Sequence, residues 1–164
     1  ERIKFVHKKV KMDAIAEEYI EGREFYVALM GRKRIKAFPS VELKFLNVPK
    51  DKARIVTYRA KWDILYRKKM GIKSVYAGRL GKVLQSRITE ACKEAYKALD
   101  LECYARFDIR VNQNNEIYIL EANANPCLAD DEDFSDAAWK AGIQYNRLIQ
   151  DILKLGMERP SIGP

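Results

Sequence analysis

Apolar and polar positions alternate, at least partially, through much of the first third of the chain. Residues 3–10, 14–20, 23–30, 34–38 and 41–46 are rich in Val, Ile, Phe and Tyr, which predicts strands. A loop is expected at 47–51, a further strand at 54–60, and a short helix at 63–70 closed by Gly71. The period then changes. Ile88, Ala91, Cys92, Ala95 and Leu99 recur at helical spacing and predict a helix over 87–100. Two alternating runs flank Asn114-Asn115, a pair suited to a tight hairpin turn because Asn tolerates positive φ. Ser135 is the expected N-cap of a helix stopping near Gly142. A last helix, 145–155, places Leu148, Ile149, Ile152 and Leu153 on one face and stops at Gly156. Together these elements predict an α+β protein, a mostly antiparallel sheet with packed helices.

Composition narrows the function classes. Three cysteines without a CxxC pair and a single histidine leave no disulfide framework, and exclude chemistry built on several imidazoles. The odd, widely spaced cysteines favour reduced thiols in a cytoplasmic protein, and no apolar run reaches the roughly 20 residues of a bilayer span, so no membrane partner is expected. The net charge of +8 is compatible with nucleic acid, a phosphorylated small molecule or a solvated surface. RNA- and DNA-binding signatures are missing, which ranks nucleic acid last. No pattern speaks to oligomeric state.

The most informative stretch runs from Tyr104 to Asn123. With a two-residue turn, Phe107 faces Ala122, Ile109 faces Leu120 and Val111 faces Tyr118, giving one apolar face. On the other face Arg106 opposes Asn123, and Asp108 opposes Glu121, with Cβ atoms about 4.5–5.5 Å apart. Two opposed carboxylates repel and need compensation. A magnesium ion held by Asp108, Glu121 and Asn123 supplies it, as do Arg106 and Arg110 on a solvated face; both readings stand at this level. A three-residue loop would break this pairing. A second hairpin is expected at Glu21-Gly22, with Tyr19 opposing Glu24 and Glu17 opposing Tyr26. It would make Glu17 and Glu24 diagonal neighbours, roughly 7–8 Å apart.

Three blocks in order resemble the ATP-grasp superfamily, in the branch containing D-alanine–D-alanine ligase. They are Ala16-Glu-Glu-Tyr-Ile-Glu-Gly-Arg-Glu-Phe, Tyr58-Arg-Ala-Lys-Trp-Asp, and Tyr104-Ala-Arg-Phe-Asp through Leu120-Glu-Ala-Asn-Ala-Asn-Pro. The resemblance implies the C-terminal part of an ATP-grasp fold and an ATP- and magnesium- (or manganese-) dependent ligase. Such an enzyme joins a small-molecule carboxylate to an amine through an acylphosphate. By that resemblance Asp108, Glu121 and Asn123 match metal ligands, and Glu17 meets the adenine amino group. Glu18 and Ile20 offer backbone groups to adenine, and Glu24 takes the ribose. Lys61 touches the transferred phosphoryl group, and Arg106 stabilises the tetrahedral intermediate. A rival reading is a non-catalytic nucleotide-binding or scaffold module derived from such an enzyme.

Two departures are visible. The family's clamping lysine and Gly-rich phosphate loop lie upstream of the Glu17 block, yet the residues before Glu17 include no Gly. The expectation is therefore one part of a longer protein, inactive alone. Downstream, Cys127 stands where D-alanine ligases have Gly, followed by the acidic stretch Asp130-Asp131-Glu132-Asp133. That stretch suits either a cationic amine acceptor or the amino end of the next helix.

Overall fold

In a computed structural model, which describes residues 1–49, 51–78 and 80–158, the chain folds around one antiparallel sheet. Lys50, inside the expected 47–51 loop, lies outside the described residues. Strands β1 (Arg23–Met30), β2 (Lys36–Ala37), β3 (Val41–Phe45), β4 (Ile72–Tyr76), β5 (Tyr104–Val111) and β6 (Ile117–Asn123) form it. Its order is β4-β3-β1-β5-β6, with β2 paired to the end of β1. The helices are α1 (Arg2–Phe5), α2 (Tyr58–Trp62), α3 (Ile64–Lys69), α4 (Lys82–Ala98), α5 (Asp133–Lys140) and α6 (Tyr145–Met157). The α+β expectation holds, and every strand pairing described is antiparallel.

Alternation along β1 and β5 sends side chains to opposite faces. Phe25, Val27 and Leu29 with Ala105, Phe107, Ile109 and Val111 pack against Ile88, Cys92 and Tyr96 of α4, forming a dry core on one face. The Tyr96 hydroxyl donates to the Gly31 carbonyl at 2.9 Å, so the one polar atom that this ring buries is satisfied. On the opposite face Ala28, Met30, Phe38 and Val41 pack against Phe134, Ala137 and Ala138 of α5 and Leu148 of α6. That second core covers only one end of its face. At the other end the same strands present Glu24, Asp108, Arg106 and Arg110. No helix among the described residues is long and apolar enough to cross a membrane.

Several local expectations are corrected. Residues 3–10 form α1 and a π-helical turn, Val6–Val10, instead of a strand. Their peptide groups bond locally, Phe5 N–H to Glu1 C=O and Lys11 N–H to Val6 C=O, and no strand among the described residues pairs with them. The hairpin at Glu21-Gly22 does not form either. Residues 14–20 carry no ladder, and β1 pairs instead with β2, β3 and β5. Gly22 is there for close approach. A Cβ built on it would meet the Val111 carbonyl oxygen at 2.2 Å.

The strand expected over 54–60 does not form; Thr57 caps a helix there, its hydroxyl accepting from Ala60 N–H at 3.2 Å. Strand β4, between Gly71 and Gly78, is an element that periodicity missed. Helix α4 starts earlier than expected and leaves Leu99 exposed beyond its end. Helix α5 begins at Asp133 with Glu132 as N-cap, while Ser135 is buried and donates to the Leu128 carbonyl. Helix α6 runs through Gly156 instead of stopping there.

Candidate active site

Three rows cross strands β1, β5 and β6 on the face that also carries α5 and α6, the Ala28 end of the third lying under α5. Glu24 opposes Arg110, which opposes Tyr118. Tyr26 opposes Asp108, which opposes Glu121. Ala28 opposes Arg106, which opposes Asn123. The expected pairings Asp108–Glu121, Arg106–Asn123 and Phe107–Ala122 are therefore present. Nearer the turn the register differs: Ile109 faces Ile119, and Val111 faces Ile117 instead of Tyr118.

The turn explains the difference. Asn112 and Glu116 close a three-residue loop in which Asn115 takes positive φ, 58°, and the Asn112 side chain accepts from Asn114 and Glu116 N–H. That loop shifts the ladder by one residue. A β-bulge between Asp108 and Ile109, absorbing Leu120 on β6, shifts it back before the carboxylates.

Arg106 donates to both oxygens of Asp108 from one guanidinium edge, Nε to Oδ1 at 2.7 Å and Nη2 to Oδ2 at 3.0 Å, with its cation over the Tyr26 ring. Burial is the strongest influence on Asp108 and lifts its carboxyl above the usual range. Arg106 opposes the lift, while Glu121 and Glu24 add to it. Glu121 is exposed and Asn123 half-buried, its side-chain oxygen accepting from Asn125 N–H at 2.9 Å. Two opposed carboxylates and an amide oxygen form a hard donor set of the kind that magnesium or manganese takes. The residues present fit that ion.

At the next row Arg110 is 2% exposed and Glu24 8%. Arg110 Nη2 and Nε donate to one oxygen of Glu24 at 2.7 and 3.3 Å, and Nη1 donates to the Ile20 carbonyl at 2.7 Å. Ile20 is half-buried, whereas Glu17 and Glu18 are exposed on the strap formed by residues 14–20. The register therefore joins Glu24 to Arg106 and Asp108 on one face, and leaves Glu17 and Glu18 beside it on a segment with no ladder of its own. Lys61 is exposed on α2, its ammonium 5.5 Å from the Trp62 ring centroid. Ala60, one residue earlier, is buried with Leu43 and Ile72, and Tyr26 packs against that cluster. Helix α2 thus sits over the same sheet face as Glu24.

Sequence reasoning missed the pairing of Arg110 with Glu24 and the ring of Tyr26 beneath Arg106. Equal parity on the two strands was a signal, but the adjacency of β1 and β5 was not readable from it. The acids after Cys127 lie at the amino end of α5, with Asp133 and Asp136 in its first turn. Burial first, then Asp133, Asp131 and Asp130, raise the Asp136 carboxyl. The stretch therefore stands where the amino end of a helix favours acids, although crowding among them works against that gain at Asp136.

A family model described as D-ala D-ala ligase C-terminus matches residues 3–154. A D-alanine–D-alanine ligase of Carboxydothermus hydrogenoformans is 30% identical over 159 residues, spanning 94% of this chain and 47% of that protein. The uncharacterized protein y4sG of Sinorhizobium fredii is 28% identical over 157 residues, spanning 96% of this chain and 45% of its own length. The chain therefore spans about half the length of these relatives. Among solved structures, D-alanine–D-alanine ligase from Bacillus anthracis complexed with ATP superposes with a TM-score of 0.71 at 21% identity. That superposition covers 95% of this chain and 46% of the other, a likeness of fold.

Proposed function

Because the chain belongs to the family of D-alanine–D-alanine ligase C-terminal domains, we propose that it is the nucleotide- and metal-holding part of an ATP-dependent carboxylate–amine ligase. The observation carrying this reading is the direct opposition of Asp108 and Glu121 across β5 and β6, flanked by Arg106 and Asn123 on one face. Structural ladders avoid opposed like charges. Asp108, Glu121 and the amide oxygen of Asn123 would hold magnesium, which when bound neutralises phosphoryl charge on ATP. ATP lies along the three rows, its adenine against Glu17, Glu18 and Ile20 and its ribose against Glu24.

The substrate carboxylate attacks the γ-phosphate to give an acylphosphate and ADP. The amine then displaces phosphate from the acyl carbon. Lys61 meets the transferred phosphoryl group. Arg106 stabilises the oxyanion that develops as the amine adds, held in place for that task by Asp108. Positioning and charge neutralisation are what such transfers need from a protein. The reading carries small-molecule substrates and a cytoplasmic setting, where ATP and magnesium are available.

The 164 residues are read as part of a longer protein, consistent with their covering about half of the relatives. Tyr58, Trp62, Ile64 and Leu65 are 65–82% exposed on α2 and α3, an apolar surface that further chain would cover. The test follows ADP and phosphate release by the full-length protein with magnesium, over single and paired amino acids and short peptides. Release that requires a substrate pair and disappears in Glu121→Gln is expected. Release unchanged in that variant, or none with any pair, would overturn the reading.

A further inference from the structure

Four donor contacts on one buried guanidinium bring together three stretches that are distant in sequence. Besides Glu24 and the Ile20 carbonyl, Arg110 Nη2 donates to the carbonyl of Arg54. Its cation lies 4.8 Å from the centroid of the Tyr19 ring. The Tyr19 hydroxyl in turn accepts from Arg54 N–H at 3.0 Å. Both peptide groups of Arg54 are therefore held by the strap and by Arg110. Residues 53–57 belong to no strand or helix, so these contacts stand in for a ladder. The stretch leads straight into α2, whose Thr57 cap and buried Ala60 fix the turn carrying Lys61.

The chemistry at this junction calls for arginine. One planar fork meets a carboxylate and two carbonyls that point from different segments, which a compact ammonium cannot do. Glu24 balances the charge, as a buried cation requires.

We propose that Arg110 is a positioning residue that makes the nucleotide strap and the Lys61-bearing helix move as one unit. Adenine and ribose contacts at Ile20 and Glu24 are then linked, through the Arg54 peptide, to the phosphoryl contact at Lys61. Nucleotide that orders the strap orders α2 with it, and by reciprocity an ordered α2 tightens nucleotide binding. This rests on the function proposed above, in which Ile20, Glu24 and Lys61 meet ATP.

The experiment uses the full-length protein and compares wild type with Arg110→Met, Arg110→Lys and Tyr19→Phe. Magnesium–ATP affinity and amide hydrogen exchange over residues 53–62 are measured with and without nucleotide. In wild type, nucleotide is expected to slow exchange in that stretch. Arg110→Lys keeps a charge for Glu24 but loses the fork, so it should stay folded and bind on the order of tenfold more weakly. Nucleotide should no longer slow exchange over 53–62 in it or in Arg110→Met. Tyr19→Phe removes one exposed hydroxyl and should lose part of the effect.

A residue with only a structural role would lower stability in the Arg110 variants and leave the nucleotide-dependent slowing in the folded fraction intact. That result overturns the proposal. Should Arg110→Met fail to fold, unchanged slowing in both Arg110→Lys and Tyr19→Phe overturns it equally. Wild type that binds no magnesium–ATP would remove the proposed function and this inference together. Wild type that binds, with every variant still coupled, would remove the inference alone.

Discussion

At Gly22 the backbone of the strap turns into β1 against β5, with the Val111 carbonyl filling the space of a Cβ. Gly156 lies inside α6 with nothing within 4 Å of a Cβ built on it. The same substitution should therefore act in opposite directions. Gly22→Ala forces backbone apart and is expected to cost about 1–3 kcal/mol. Gly156→Ala removes helix-interior flexibility and is expected to add about 0.5–1 kcal/mol. Denaturant unfolding of the two variants side by side checks both signs. The sequence reading treated each glycine as local punctuation, a turn at 22 and a helix stop at 156. Local chemistry permitted that, but Gly22 is decided by a neighbour from another part of the chain, and at Gly156 the helix simply continues. Arg110 shows the same limit. Its parity with Asp108 was legible, whereas its partner Glu24 became visible only when β1 was seen to lie beside β5.

Hairpin β5–β6 shows how an element can be read correctly for an incomplete reason. The expected two-residue turn is a three-residue loop, and on its own that change would have separated Asp108 from Glu121. The bulge at Leu120 restores the pairing. Alternation therefore placed the carboxylates, Arg106 and Asn123 rightly, while the pairs closer to the turn came out differently. Other expected strands fared worse: 3–10 is helical, and 54–60 is irregular up to Thr57, which caps the helix from Tyr58.

The β1–β3 pair carries a pH dependence of its own. Arg23 donates to both oxygens of Glu42 at 2.9 Å. Burial alone would raise the Glu42 carboxyl, but Arg23, joined by Lys44, holds it below its ordinary 4.5. Its folded value lies under the unfolded one, so the stabilisation is complete above about 4.5 and drains away as pH falls through the folded value. Arg23 is half exposed, which keeps the gain at neutral pH under about 1 kcal/mol. Thermal unfolding from pH 7 to 3 should show wild type losing stability more steeply than Glu42→Gln on the acid limb. Parallel curves would remove this pair from the account.

On the scale of the whole molecule, the sheet separates two duties. One face is sealed by α4 over Phe25, Val27, Leu29, Phe107 and Ile109, all 0% exposed. The other is shared between the α5–α6 core and the charged rows. Ile88→Val, on the sealed side, should cost about 1 kcal/mol by removing one buried methylene. It should leave the magnesium–ATP affinity of the full-length protein unchanged, measured where the variant is still folded. A loss of affinity comparable to the Arg110 variants would mean that strain crosses the sheet. If the faces are as independent as their packing implies, the α4 side offers a protein engineer free ground. Heat tolerance could be raised there by repacking, with substrate preference rewritten separately on the opposite face. Changes made for one purpose would then seldom have to be undone for the other.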